Sequence, residues 1–175
     1  MADPVFNYIA PNPFGLNGDN PEFVDIDADG DLDAFSGAGG DIWFFKNTGT
    51  VRNPLFAAAL TNPFGLSNVG YSANPTLVDI DGDGDLDAFV GNNAGNTLFF
   101  RNTGTASNPL FGASQANPFG FSKVGSSANP TLVDIDDDGD LDAFVGNYDG
   151  NTQFLGTQEQ LVILSLLLPL PTHLV

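Results

Sequence analysis

Aspartates at every second position recur three times in this chain: Asp25, Asp27, Asp29, Asp31 and Asp33; Asp79, Asp81, Asp83, Asp85 and Asp87; Asp134, Asp136, Asp138, Asp140 and Asp142. Each ladder carries a glycine at its sixth position, Gly30, Gly84 and Gly139. Carboxylates at positions 1, 3, 5 and 9 can meet at one point only where the backbone turns sharply, and glycine permits that turn. Hard oxygen donors in this number, with no histidine or cysteine among them, select calcium over zinc or copper. The spacing predicts one calcium ion per ladder.

The formal net charge is -18, and fifteen of the 22 acidic residues occupy the ladders. Most of the charge is therefore ligand charge. Without a cation, neighbouring carboxylates repel by roughly 1 kcal/mol per pair even in water, and by more where partly desolvated. With only four Lys and Arg, the chain cannot neutralise many phosphates, which disfavours nucleic acid and anionic membrane as partners. At 175 residues, 42% hydrophobic and 15% charged, it has the composition of a folded domain. There is no cysteine, so no disulfide holds it together. Met1-Ala2-Asp3-Pro4 lacks the basic and apolar regions of a secretory signal. The longest apolar run, 161–170, is too short to span a bilayer as a helix, so no membrane insertion is expected.

The ladders must sit on elements that repeat with them. Their spacing is 54 residues from Asp25 to Asp79 and 55 from Asp79 to Asp134. Asn74-Pro75-Thr76-Leu77-Val78 recurs as Asn129-Pro130-Thr131-Leu132-Val133, and Asn-Pro-Phe-Gly begins at Asn12, Asn62 and Asn117. Repetition at this length marks a solenoid or propeller. Within one unit, 75–80, 86–91, 97–101 and 109–113 are short runs rich in Val, Leu, Phe and Thr between Gly, Asn and Asp clusters. They read as four antiparallel strands, A to D, with the ladder as the A to B turn and 92–96 as a B to C hairpin. That is the composition of a propeller blade. The phase is D, ABCD, ABCD, ABC: Asp3-Pro4-Val5-Phe6 matches Asn53-Pro54-Leu55-Phe56, and the last strand C falls at 151–155. The predicted fold is all-β, with three blade equivalents and one blade divided between the two ends. Terminal strands pair in this way to close a ring and remove a free edge.

From Gly156 the repeat stops. Reading the third base of each codon with the first two of the next permits Asn-Thr-Gly-Thr, Ala-Ser-Asn-Pro-Leu-Phe and Asn-Pro-Phe-Gly in order, which are the repeat's own words. Residues 1–155 are thus expected to form the repeats, and 156–175 an out-of-frame tail, irregular or disordered. On that reading the chain is a segment of a larger propeller, and His173, its single histidine, is no catalyst.

The Asp-x-Asp-x-Asp-Gly-x-x-Asp loop between strands, repeated once per unit, resembles the FG-GAP and VCBS repeats of integrin alpha-subunit propellers and of many bacterial surface or secreted proteins. The resemblance covers residues 3–155. It implies calcium held by the side chains of Asp25, Asp27, Asp29 and Asp33, of Asp79, Asp81, Asp83 and Asp87, and of Asp134, Asp136, Asp138 and Asp142. It further implies that the backbone carbonyls of Asp31, Asp85 and Asp140 join them. The parent family is secreted or on the cell surface. A helical EF-hand would instead need glutamate at ladder position 12, where Ser36, Val90 and Val145 stand.

The expected function is a non-enzymatic, calcium-stabilised binding or adhesion module with a protein or glycan partner. Its expected self-partner is a second chain, strand D of each completing the other's ABC to give a six-bladed homodimer. A lectin is the alternative: Tyr71 and Tyr148 lie in turns, whereas Trp43 aligns near Phe99 and Gln153 and reads as core. A hydrolase is a third class; outside the ladders it has only Asp3, Asp19, Glu22, Asp41, Asp137, Asp149 and Glu159 to draw on. The phenylalanines at Phe35, Phe89 and Phe144 read as packing between blades.

Overall fold

The computed structural model describes residue 12 and residues 14–156. These form three antiparallel sheets in succession. The first contains β1 (Asp19–Val24), β2 (Asp33–Ala38), β3 (Asp41–Phe45) and β4 (Leu60–Thr61). The second contains β5 (Asn74–Val78), β6 (Asp87–Gly91), β7 (Thr97–Phe100) and β8 (Gln115–Ala116), and the third β9 (Asn129–Val133), β10 (Asp142–Gly146) and β11 (Thr152–Leu155). Strands in each sheet are neighbours in chain order, and the long connections within a sheet are 46–59, from β3 to β4, and 101–114, from β7 to β8. One 3-10 turn, Pro63–Gly65, is the sole helical element among the described residues.

The expected strands A, B and C are present with ends shifted by one or two residues. Pro75 and Pro130 lie in the first strands, at the edges of their sheets, where a missing N–H leaves no gap in a two-sided ladder. The fourth strand is displaced. It was expected at 109–113 but forms at Gln115–Ala116, pairing with Leu98 and Phe99; β4 pairs likewise with Trp43 and Phe44. The expected segment makes only isolated bridges, Asn102 with Phe111 and Thr105 with Asn108. Phe111 is drawn off the sheet because its N–H donates to the Phe64 carbonyl (2.7 Å), which buries its ring between the first two sheets. The matching segment ahead of the first sheet, 3–6, and the tail beyond Gly156 lie outside the described residues. The third sheet has three described strands, and the described residues form no closed ring.

Side chains alternate between the two faces of each sheet, so each sheet packs on both neighbours through different residues. Phe35 and Phe44 of the first sheet meet Leu77, Ala88, Val90 and Phe100 of the second. Phe89 and Phe99, on the other face of the second sheet, meet Ala143 and Val145 of the third. Phe35 and Phe89 are fully buried as expected, whereas Phe144, their counterpart in the third sheet, is half-buried. The first strands β1, β5 and β9 are neighbours across the sheets. Asn74 Nδ2 donates to the Ala128 carbonyl (2.8 Å) and Thr76 Oγ1 to the Pro130 carbonyl (2.9 Å).

Backbone approach between sheets requires glycine. A Cβ on Gly37 would lie 1.8 Å from the Ala73 carbonyl oxygen, and one on Gly91 2.1 Å from that of Ala128. The Asn-Pro-Phe-Gly turns fasten each linker to the sheet it leaves: Asn62 Oδ1 accepts the Ile42 N–H (2.8 Å), Asn117 Oδ1 the Thr97 N–H (2.9 Å), and the rings of Phe64 and Phe119 lie edge-on to Phe44 and Phe99.

Candidate metal centre

All three ladders form the turn between the first and second strands of a sheet. The first carboxylate organises the loop. Asp79 accepts the N–H groups of Gly82 (2.8 Å), Asp83 (3.2 Å) and Gly84 (2.9 Å), and Asp134 those of Asp137 (2.7 Å), Asp138 (3.2 Å) and Gly139 (3.0 Å). Asp25 accepts from Asp29 (3.1 Å) and Gly30 (3.0 Å). The fifth carboxylate repeats the motif on a smaller scale, with Asp29, Asp83 and Asp138 accepting the N–H of Asp31, Asp85 and Asp140. Gly30, Gly84 and Gly139 have φ of 91°, 89° and 96°, the left-handed geometry expected of position 6. Position 4 is left-handed too, at Ala28 (φ 55°), Gly82 (φ 73°) and Asp137 (φ 63°). Sequence reasoning missed this, because only one of the three positions carries glycine.

The turns bring positions 1, 3 and 5 together. Carboxylate oxygens of Asp25, Asp27 and Asp29 lie within 4.8 Å of one another, as do those of Asp79, Asp81 and Asp83 and of Asp134, Asp136 and Asp138. Asp31, Asp85 and Asp140 stand outside these triplets, as do Asp33, Asp87 and Asp142, which begin the second strands. Those last three carboxyls are buried. Burial pushes Asp33 and Asp87 up to about 6, reinforced by the charges of Asp27 and Asp29 on the one and of Asp83, Asp79 and Asp85 on the other, and opposed by hydrogen bonds from Asn47 and Asn102.

The residues fit a bound cation. Asp27 Oδ1, Asp31 Oδ1, Asp33 Oδ2 and Asp87 Oδ2 are buried and without hydrogen-bond partners. Orphaned carboxylate oxygens inside a protein are costly unless a charge faces them. A divalent cation seated among oxygen donors supplies that charge, and the donor set, all carboxylate and carbonyl, is that of a hard ion.

The ladders are tied to the rest of each sheet at position 9. Asp33 Oδ1 accepts the Asn47 N–H (2.7 Å) and Asp87 Oδ1 the Asn102 N–H (2.6 Å). Asn47 Oδ1 in turn accepts from Gly49 and Leu55, both at 3.0 Å, while Asn102 Oδ1 accepts from Gly104 (2.9 Å) and Leu110 (3.0 Å). The Asn-Thr-Gly-Thr repeat therefore has a role that sequence alone did not assign: it links the ladder to the connection leading to the fourth strand. A second neighbour also escaped notice. Lys46 Nζ pairs with Asp27 and Asp29, and Arg101 with Asp81; the aligned residue in the third repeat is Gly156.

The other candidates are dispersed. Tyr71 and Tyr148 are 81% and 82% exposed at the end of the sheets opposite the ladders. Trp43 is half-buried and edge-on to Phe45. Its partner in the sheet is Ser36, as that of Leu98 is Val90, so its counterpart is Leu98 rather than Phe99. Asp41 is held below the usual carboxylate range by hydrogen bonds from Asn62 and Asn68. His173, Asp3 and Glu159 lie outside the described residues. No helix among the described residues is long and apolar enough to cross a membrane.

No curated protein and no solved structure was found to match the chain. A family match was found: residues 25–90 and residues 79–145 each match the FG-GAP-like repeat. Each match runs from the start of one ladder to the second strand of the next sheet, so the family's unit straddles two sheets. With ladder turns at the matching positions and well over half its length covered, the chain belongs to the FG-GAP-like repeat family.

Proposed function

We propose that this chain is a calcium-stabilised, non-enzymatic β-propeller module that binds a protein or glycan partner outside the cell or on its surface. The observation that carries the reading is the threefold recurrence of a carboxylate triplet on equivalent turns of successive sheets. Each ion is held by the side chains at positions 1, 3, 5 and 9, with the backbone carbonyl at position 7. The blades stand side by side about the strands β1, β5 and β9. The ion's work is structural: it neutralises the triplet, fixes the turn and leaves the far ends of the sheets to the partner. The carboxylates that a hydrolase would need are committed to these turns.

Calorimetric titration with calcium tests the reading. Three sites are expected, with affinities on the order of 10⁻⁴ to 10⁻³ M as in extracellular modules. One site should disappear for each of Asp29→Asn, Asp83→Asn and Asp138→Asn. At 10 mM calcium each site would add about 1.4 to 2.7 kcal/mol to folding stability. Absence of binding heat, or three sites in all three variants, would refute it.

The glycan form of the reading rests on Tyr71 and Tyr148, exposed rings on the end opposite the ladders. Glycan-array binding that falls in Tyr148→Ala would support it.

A further inference from the structure

We infer that the outer face of the third sheet and the outer face of the first are the two halves of one junction, which a second copy of this chain completes head to tail. At the two internal junctions the faces are closed. Phe44 and Phe99 are 2% and 1% exposed, whereas Phe154, which occupies their place in β11, is 41% exposed. Val133 and Ile135, in the places of Val78 and Ile80, are 39% and 57% exposed. The incoming half lies open on the first sheet. Phe23 and Leu32 are 45% and 54% exposed, while Leu77, in the place of Phe23, is 4% exposed against the preceding sheet. Exposed apolar surface of this extent on a soluble chain marks an interaction site.

Two further details identify the occupant as another copy. Phe64 and Phe119 of the linkers cover Phe44 and Phe99; Phe14, the same residue of the first Asn-Pro-Phe-Gly, is 48% exposed, and the ring it would cover, Phe154, is exposed too. Gly146 repeats Gly37 and Gly91, but among the described residues a Cβ there would meet nothing closer than the Asn129 carbonyl at 4.0 Å. The close approach that demands glycine at the internal junctions is missing among the described residues. It is restored when the Asp19 carbonyl of a second copy takes the place of Ala73 and Ala128. The first linker is shorter than the others: Asn17-Gly18-Asp19 stands where the second linker has the seven residues from Ser67 to Ala73. It lacks the counterparts of Val69 and Val124, whose N–H groups latch onto Gly40 and Gly95. The new junction is therefore weaker than the internal ones, and reversible.

Such a contact is heterologous, so it grows into a closed ring or an open chain. It differs from an exchange of terminal strands, because it uses faces that the described residues already build.

Sedimentation of the whole chain in calcium is the test. Wild type is expected at two chains or a higher multiple of 18.3 kDa. Phe154→Asp breaks the outgoing face and Phe23→Asp the incoming one, so each variant alone should be monomeric. Mixed one to one, they retain a single intact junction per pair and should form a capped heterodimer. Gly146→Ala should keep the wild-type melting temperature and lose the association. If the aspartate variants fail to fold, Phe154→Ser and Phe14→Ser serve in their place. A monomeric wild type, or a mixture of folded variants that stays monomeric, overturns the inference.

Discussion

The first two ladders and the third are nearly identical in sequence, and the turns they form are nearly identical in geometry. Their surroundings differ. Around Asp27 and Asp81 stand a basic side chain, an asparagine clasp at position 9 and a four-stranded sheet. Around Asp136 the aligned residues are Gly156 and Thr157, and the described sheet has three strands. The turn is a local object, made by a first carboxylate accepting N–H groups three to five residues ahead. Its anchorage is non-local, supplied by residues fourteen to twenty positions away. Repetition of a motif therefore fixes the turn, while the residues that anchor the first two turns come from elsewhere in the unit.

The same contrast bears on a cleft between two of the sheets. A space of about 360 Å³ opens between the second and third sheets, lined by Phe89, Phe119, Phe121 and Leu155. At the first junction Phe111 fills the equivalent position and is 4% exposed. Asp81, Arg101 and Asp140 stand beside the apolar residues of the cleft.

The largest expected effect separates internal from outer junctions. In Gly91→Ala the new methyl would meet the backbone carbonyl of Ala128 at 2.1 Å, so the sheets must separate. The expected loss is about 3 kcal/mol, the upper range for overpacking. Gly146→Ala has no such neighbour and should change stability by less than about 0.5 kcal/mol. Urea denaturation in calcium measures both, and equal losses would erase the distinction between the junctions.

Next comes the clasp. Asn102→Ala leaves the Gly104 and Leu110 N–H groups without their acceptor; Asn102 itself is buried, while Gly104 is half-buried and Leu110 exposed. A loss of about 1.5 kcal/mol is expected, the net worth of hydrogen bonds whose donors water can partly reach. Asn47→Ala should match it. If both are neutral, the position 9 aspartates are anchored by something other than the asparagine turn.

How much was legible follows the same division between local and distant causes. The ladder turns and the second and third strands were readable because each depends on residues close in sequence. The fourth strand was misplaced because Leu110 and Phe111 carry the stronger strand signal. Pairing with Leu98 and Phe99 instead selects Gln115 and Ala116, which have little strand propensity of their own. The clasp was visible as a repeat, but nothing in Asn-Thr-Gly-Thr says which carboxylate it faces. The glycines at 37 and 91 gave no signal, since the carbonyls that exclude a side chain lie 36 and 37 residues further on.

The basic residues give a smaller, opposite effect. Lys46 and Arg101 neutralise part of the first two ladders, and both are about half exposed, so each pair contributes about 0 to 1 kcal/mol. They also compete with an ion for Asp27 and Asp81. Lys46→Met and Arg101→Leu should tighten calcium at their own ladders by up to about fivefold, the equivalent of 1 kcal/mol. The third ladder carries neither substitution and should be unaffected. Weaker binding in these variants would mean that the cations support the loop with the ion present.

The smallest effect lies inside the turn itself and tests whether the three ladders are strained alike. Position 4 is left-handed in all three, and only Gly82 adopts that conformation without a steric cost. Ala28 and Asp137 hold it because the first carboxylate binds the N–H groups just beyond and leaves the chain no other path. Glycine at either position removes the clash of Cβ with the backbone but adds freedom to the unfolded chain, and the two effects oppose. A net gain of about 0.5 kcal/mol is expected for Ala28→Gly and Asp137→Gly, read as a raised denaturation midpoint without calcium. The Gly82→Ala variant should lose a comparable amount. If Gly82→Ala is neutral instead, the ladder tolerates left-handed alanine, and the glycine of the second repeat reflects no demand of the turn.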